Sequence, residues 1–298
     1  TSAGCHFDSN NWLDGALLVF LWGIWGYNWL VTKAGMAYAS PFGLAAIRAM
    51  VAAATLGLIL WARKQPFTPP PWRYTLLIGI TQTAAFTGLM NMALQTGGAG
   101  KVSVLCYTMP FWTLVFARVF LGEHIRGWQW AGIALAFAGL FLVLEPWQLS
   151  AASLSSWLAL ASGISWAISA ILIKKLAKRH ATSPLSLTFW QMVWAIPLLV
   201  ALWALMDAQP VVWQWPLLWI LVYVGCLAGG AGWWLWSILL SRLSAGTASL
   251  NILVLPCVSL MAAWIHTGEQ PSPAEGGGMI LIVVALGMLT LVNRTKRI

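Results

Sequence analysis

Ala99-Gly100-Lys101-Val102-Ser103 opens a stretch that runs through Pro110 to Gly122-Glu123, and a second stretch repeats its landmarks, from Ala245-Gly246-Thr247-Ala248-Ser249 through Pro256 to Gly268-Glu269. The offset is constant: 245−99, 256−110 and 269−123 all equal 146. Aligned without gaps, windows 99–123 and 245–269 agree at 8 of 25 positions: Ala, Gly, Ser, Pro, Leu114/Leu260, Ala117/Ala263, Gly and Glu. Leucine and alanine coincide readily in apolar sequence; Ala-Gly, Pro and Gly-Glu at fixed spacing carry more weight. The chain therefore reads as an internal duplication, which decides the architecture before any single element does. Ser40-Pro41 and Ser183-Pro184 extend the match into the earlier part of each copy and set Arg48 opposite Gln191. The copies divide the chain into residues 1–148 and 149–298.

Composition supplies the solvent. Of 298 residues, 60% are hydrophobic and 8% charged, against about 25% charged in soluble domains. Apolar runs of about 20 residues, enough to cross a bilayer as helices, recur throughout. The 22 Trp residues fit a protein with bilayer interfaces. The net charge of +9 sits mostly in short loops and sets topology, so it implies no nucleic-acid partner. Cys5, Cys106, Cys226 and Cys257 form no CxxC pair and read as small apolar residues. Residues 1–12 lack a basic run followed by an apolar core, so no cleaved leader is expected there.

The pattern predicts an all-α membrane protein with ten spans, near 13–34, 41–62, 73–95, 99–121, 128–145, 153–173, 184–206, 214–240, 245–266 and 276–293. Basic residues orient them. One side collects 13 of the 16, namely Arg63, Lys64, Arg73, Arg118, Arg126, Lys174, Lys175, Lys178, Arg179, Arg242, Arg294, Lys296 and Arg297; the other has Lys33 and Lys101, and Arg48 lies within span two. Both termini are thus expected in the cytoplasm. Each copy holds five spans, an odd number, so the second copy enters the membrane inverted relative to the first, as in many transporters.

Pro110 and Pro256 fall mid-span. Each removes a helical hydrogen bond and frees the carbonyl four residues back, at Cys106 and Ile252; the pair is expected to act as hinges. Polar residues within spans are few: Asn28, Gln82, Asn91, Gln95, Ser103, Tyr107, Ser162, Ser165, Ser169, Gln191, Ser249 and Asn251. Polar groups in a bilayer turn inward, to glue helices or to line a wet path. From this set Gln82, Ser165 and Asn251 are taken as substrate hydrogen-bonding groups. Trp22, Trp25 and Trp29 form a stripe at i, i+3, i+7, and Trp112, Trp166, Trp190, Trp194, Trp233, Trp234 and Trp236 also lie deep. Such a wall could stack flat ligands or serve as packing.

All seven acids, Asp8, Asp14, Glu123, Glu145, Asp207, Glu269 and Glu275, lie at span ends or in loops, as do His6, His124, His180 and His266. A proton or sodium pump usually keeps an ionisable group deep in the bilayer. Uncoupled or exchange-type transport, or coupling through something other than a buried carboxylate, is therefore expected. Arg48 either meets a substrate carboxylate or anchors backbone carbonyls and water. No HExxH, Walker-type loop, acid pair or Cys/His metal spacing occurs, so no catalytic residue, metal or cofactor is expected.

Leu160-Ala161-Ser162-Gly163-Ile164-Ser165-Trp166-Ala167-Ile168, Ser183-Pro184 to Phe189-Trp190-Gln191, Trp236 to Ser249 with Pro256, and Gly268-Glu269 ahead of the last span together resemble the EamA-type drug/metabolite transporter superfamily over nearly the whole chain. The resemblance implies ten helices in two inverted five-helix repeats, bacterial inner-membrane location, alternating access, and a cavity walled by spans 1, 3, 4, 6, 8 and 9. Within the superfamily the chain looks most similar to aromatic amino acid exporters, which implies substrate-binding roles for Trp22, Tyr107 and Trp166; Met109 stands where that group typically has Trp before the span-four proline. The expectation is a monomeric exporter of amino acids or related small metabolites, aromatic ones first. The alternatives are a multidrug or organic-cation exporter of the same fold and, from another class, a membrane-embedded enzyme or partner subunit.

Overall fold

The structure is a computed structural model that describes residues 11–97, 99–123, 127, 129–145, 154–267 and 270–295. The second Gly-Glu landmark, Gly268-Glu269, lies outside them, as do His124, Arg126, Lys296 and Arg297. Among the described residues every regular element is helical: α1 (Asn11–Gly35), α2 (Pro41–Ala62), α3 (Trp72–Thr96), α4 (Ala99–Cys106), α5 (Met109–Leu121), α6 (Gln129–Leu144), α7 (Leu154–Arg179), α8 (Pro184–Met206), α9 (Trp215–Arg242), α10 (Ala245–Asn251), α11 (Val254–Thr267) and α12 (Pro273–Thr295). Seven stretches are long and apolar enough to cross a membrane, and Met109–Leu121, Trp130–Val143 and Pro273–Ala285 are shorter apolar helices. Large apolar side chains such as Phe20, Leu58, Val119, Leu205, Trp219 and Ile280 stand exposed on the outside, as a lipid-facing surface requires.

Local chemistry explains the interruptions. Proline opens α2 and α8, where its missing N–H costs nothing. The Ser40 hydroxyl caps α2 by accepting from the Gly43 N–H at 3.3 Å. Pro110 and Pro256 do more than bend their helices. The chain breaks at Tyr107-Thr108 and at Ile252-Leu253. At each break the bonds tighten to three-residue turns: Thr108 N–H to the Leu105 carbonyl at 3.2 Å, and Leu253 N–H to the Leu250 carbonyl at 3.1 Å. Gly79–Ala85 in α3 and Val222–Ala231 in α9 are π-helical, a local widening that turns carbonyls away from the helical ladder.

Packing follows the duplication. Helix α2 lies against α8, and α6 against α12. The α10–α11 rod meets α1, while the α4–α5 rod meets α7. Helix α3 packs on α7 and α8; α9 packs on α1 and α2. Close crossings fall at glycine. A Cβ on Gly163 would come within 2.7 Å of the Cys106 carbonyl oxygen. Gly139 and Gly278 face each other so tightly that a Cβ on either would lie 2.7 and 2.5 Å from the other's carbonyl oxygen. Without a hydrophobic drive between helices in lipid, such contact supplies much of the association. Replacing Gly139 by Leu is expected to force α6 and α12 apart at about 1–3 kcal/mol, read as a lower thermal transition in detergent. An unchanged transition would mean the crossing contributes little.

Candidate functional site

One cavity gathers side chains from both halves of the chain. Trp25, Asn28 and Trp29 come from α1, Arg48 from α2, Phe86 and Met90 from α3, and Tyr107 from the break before α5; Trp166, Trp233 and Leu255 come from α7, α9 and α11. Asn28 and Trp29 sit within one turn of Trp25, so a single face of α1 is presented. Phe86 and Met90 are spaced i, i+4, again one face. The free volume is about 20 Å³, enough for about one water. The site is contracted, and its aromatic rings fill it.

Those rings are packed edge to face. Trp166 lies 5.4 Å from Trp25 at 78°, 5.6 Å from Trp233 at 81°, and 5.7 Å from Trp236; Phe86 is 5.0 Å from it. Offset and edge contacts are the favoured geometry for aromatic pairs. Two of the four indole donors on the wall are committed. Trp25 Nε1 donates to the Ala228 carbonyl at 3.0 Å, inside the π-helical part of α9, and Trp29 Nε1 donates to the Tyr107 hydroxyl. Three polar groups on the wall retain a buried atom with no protein partner: Asn28 Oδ1, Arg48 Nη1 and Trp166 Nε1. Among the described residues, no Asp, Glu, His or Cys lines the cavity.

Of the residues assigned a substrate role from the sequence, Tyr107, Trp166 and Arg48 meet in this cavity, joined by Trp25, Trp29 and Trp233 of the aromatic wall. Trp22, Gln82, Ser165 and Asn251 are not among its lining, and their polar groups are engaged. Gln82 Nε2 donates to Gln191 Oε1 at 3.1 Å, and Gln82 Oε1 accepts from Ser169 Oγ at 2.9 Å. Ser165 Oγ donates to the Thr81 carbonyl at 2.8 Å, in the π-helical part of α3. Trp22 Nε1 donates to the Asn251 carbonyl at 2.9 Å, and the Asn251 amide returns to Thr247 O at 2.8 Å. Pro110 and Pro256 flank the breaks. Missed as site residues were Phe86, Met90 and Leu255, whose apolar positions carry no signal in sequence, and Asn28, whose place between Trp25 and Trp29 was one.

The EamA-like transporter family description matches residues 13–145 and, separately, residues 153–291. The chain belongs to this family. Among its relatives, an uncharacterized transporter of Bacillus subtilis (strain 168), YoaV, is 23% identical over 281 residues, covering 92% of this chain and 96% of that protein. A probable amino-acid metabolite efflux pump of Escherichia coli (strain K12) is 29% identical over 287 residues, 92% of this chain and 93% of its own length. A crystal structure of a protein with 19% sequence identity superposes with a TM-score of 0.77 over 95% of this chain and 98% of the other, a likeness of fold. The family and the relatives' names point to transport, not catalysis, with a small molecule as cargo and the bilayer as surroundings.

Gln82→Leu leaves Gln191 Oε1 without its donor, while Ser169 keeps the Trp166 carbonyl as acceptor at 2.7 Å, a loss of about 1–3 kcal/mol. The expected outcome is a lower melting temperature in detergent with an unchanged apparent KM for transport. A raised KM at unchanged stability would place Gln82 on the substrate instead.

Proposed function

We propose that this EamA-family transporter is a bacterial inner-membrane exporter of amino acids, aromatic ones first, working by alternating access. The observation that carries the reading is a ten-residue chamber, drawn from both halves of the chain, walled by aromatic rings and holding one buried guanidinium. Aromatic walls suit a flat side chain, and a guanidinium suits a carboxylate. Organic cations are disfavoured by the same Arg48, whose charge no acid on the wall offsets. The cavity must widen to admit an amino acid, and its rings part when one half rocks against the other.

The architecture proposed is ten spans in two inverted five-span repeats, residues 1–148 and 149–298, with both termini cytoplasmic. Several features recur between the halves and support it. The family description matches twice. Helix breaks precede Pro110 and Pro256, and π-helical segments occupy corresponding places in α3 and α9. Lys33 donates to the Leu94 and Gly97 carbonyls at the end of α3; Lys174 donates to the Leu240 and Leu243 carbonyls, at 2.7 and 2.6 Å, at the end of α9. In this reading Pro110 and Pro256 are the hinges, and Tyr107 and Trp166 bound the substrate. Trp22, Ser165 and Asn251 stand beside that wall and come to the substrate when it widens, while Gln82 ties α3 to α7 and α8 behind it.

One grip bears on gating. Glu123 accepts from the Ala245 and Gly246 N–H groups, both at 3.2 Å, while Lys174 holds the preceding turn. The two charges clamp the α9–α10 connection on the basic, cytoplasmic side. Glu123→Gln removes the anion from the helix start and is expected to raise cytoplasmic labelling of a Met90→Cys probe, in a background lacking the native cysteines, by a membrane-impermeant thiol reagent. Equal labelling would remove Glu123 from the gate.

The function is tested with proteoliposomes loaded with a labelled amino acid mixture, with and without a pH gradient. Selective loss of Phe, Tyr and Trp in both conditions is the expected result, and Trp166→Phe should alter the KM for Trp. Loss only with a gradient would overturn gradient independence; no loss of any amino acid would overturn the substrate.

A further inference from the structure

Arg48 and Asn28 differ from every other residue on the cavity wall: they are its charged side chain and its amide, each more than nine-tenths buried, each with an unpartnered atom. Arg48 reaches toward the π-helical part of α9. A Cβ on Gly229 would stand 3.7 Å from Arg48 Nε, and one on Gly225 would stand 3.5 Å from the Arg48 carbonyl oxygen. The glycines let α9 approach α2, a Cβ on Gly225 standing 2.5 Å from Val51 Cγ1. The nearby Tyr223 hydroxyl is spent on the Ile24 carbonyl at 2.7 Å. A buried cation with an open donor and no carboxylate on the wall is costly to keep. A planar carboxylate satisfies it better than a single water does, because the guanidinium offers a fork of donors.

Asn28 has the opposite character. Its open atom is an acceptor, Oδ1. Trp25 and Trp29, one turn away and adjacent, have already committed their N–H donors to Ala228 O and Tyr107 Oη. Their π faces and edges remain, and π faces attract cations. One chamber thus holds both an unmet cationic donor and an unmet acceptor beside indoles.

We propose that Arg48 and Asn28 read the two poles of a zwitterionic α-amino acid, the guanidinium taking the carboxylate and Asn28 Oδ1, with the indoles of Trp25 and Trp29, taking the ammonium. This rests on the amino-acid reading above and adds the basis of head-group selection. Trp166 Nε1, the third unpartnered group, is a neutral donor available to the second carboxylate oxygen. The amine and the acid are read separately, so each has its own residue to lose.

The test is competition against labelled phenylalanine in proteoliposomes by three compounds sharing one ring: phenylalanine, 3-phenylpropanoate, which lacks the amine, and 2-phenylethylamine, which lacks the carboxylate. Wild type is expected to prefer phenylalanine to both. Arg48→Gln should cut the preference over phenylethylamine by roughly tenfold to a hundredfold and leave that over phenylpropanoate nearly intact; Asn28→Leu should do the reverse. Ratios within one variant do not depend on how much protein folds. If Arg48→Gln fails to insert, Arg48→Lys keeps the charge but loses the fork, and a smaller cut in the same ratio is expected. Phenylalanine binding with both ratios untouched by any substitution overturns the inference alone and leaves these groups as holders of structural water. Wild type that neither binds nor moves phenylalanine overturns the amino-acid reading and the inference with it.

Discussion

A peptide group inside a bilayer has no water to fall back on, so each carbonyl released from a helix needs a partner within the protein. The centre of this molecule is organised by that constraint. Two prolines and two π-helical segments disturb the hydrogen-bond ladders of α3, the α4–α5 rod, α9 and the α10–α11 rod. Side chains from the other half take up carbonyls there: Ser165 of α7 binds Thr81 O in α3, Ser162 binds Phe86 O at 3.0 Å, and Trp25 of α1 binds Ala228 O in α9. The residues that wall the cavity or stand beside it therefore also hold its irregular backbone together. Under the proposed rocking of the halves these bonds would have to be exchanged, not merely apolar surfaces slid.

The acids follow a related logic at the helix ends. Asp207 accepts from the Phe42 N–H at the start of α2 at 3.0 Å, Glu123 from Ala245 and Gly246 at the start of α10, and Glu275 from Ser272 ahead of α12 at 2.7 Å. Carboxylates belong at helix N-termini, where free N–H groups and the helix dipole favour negative charge. The landmarks of the duplication gain a meaning here. The Gly-Glu of the first copy grips the Ala-Gly of the second. Gly122 has a φ of +68°, the left-handed conformation that ends a helix and that side chains resist. At Gly246 a Cβ would stand 2.9 Å from Leu114 Cδ2, so the small residue lets the carboxylate and the helix start approach.

With the acids at the periphery, the chamber is left with aromatic surface and one arginine. The indoles pack against each other tightly enough that little free space remains. Under the proposed opening, ring–ring contacts would be exchanged for ring–substrate contacts of the same kind, so a flat side chain would offset what the opening costs.

Much of this was legible in the sequence. Charge scarcity and apolar runs declare a helical membrane protein, because only helices or closed barrels satisfy the backbone in lipid. Proline positions marked the breaks at 107–108 and 252–253, since a missing N–H acts locally. Tyr107, Trp166 and Arg48 were recognisable as aromatic or charged residues deep in apolar runs. The tertiary structure alone decided which of them meet. Gln82, Ser165, Trp22 and Asn251 looked equally suited to a substrate, yet the first three bond to neighbouring helices and Asn251 to its own turn, because helix rotation about its own axis is set by packing and not by composition. Phe86, Met90 and Leu255 carry no polar signal, and only their position makes them cavity wall. The π-helical segments, too, left no mark in the periodicity: one extra residue in a turn is fixed by the side chains of the opposing half that hold its carbonyls.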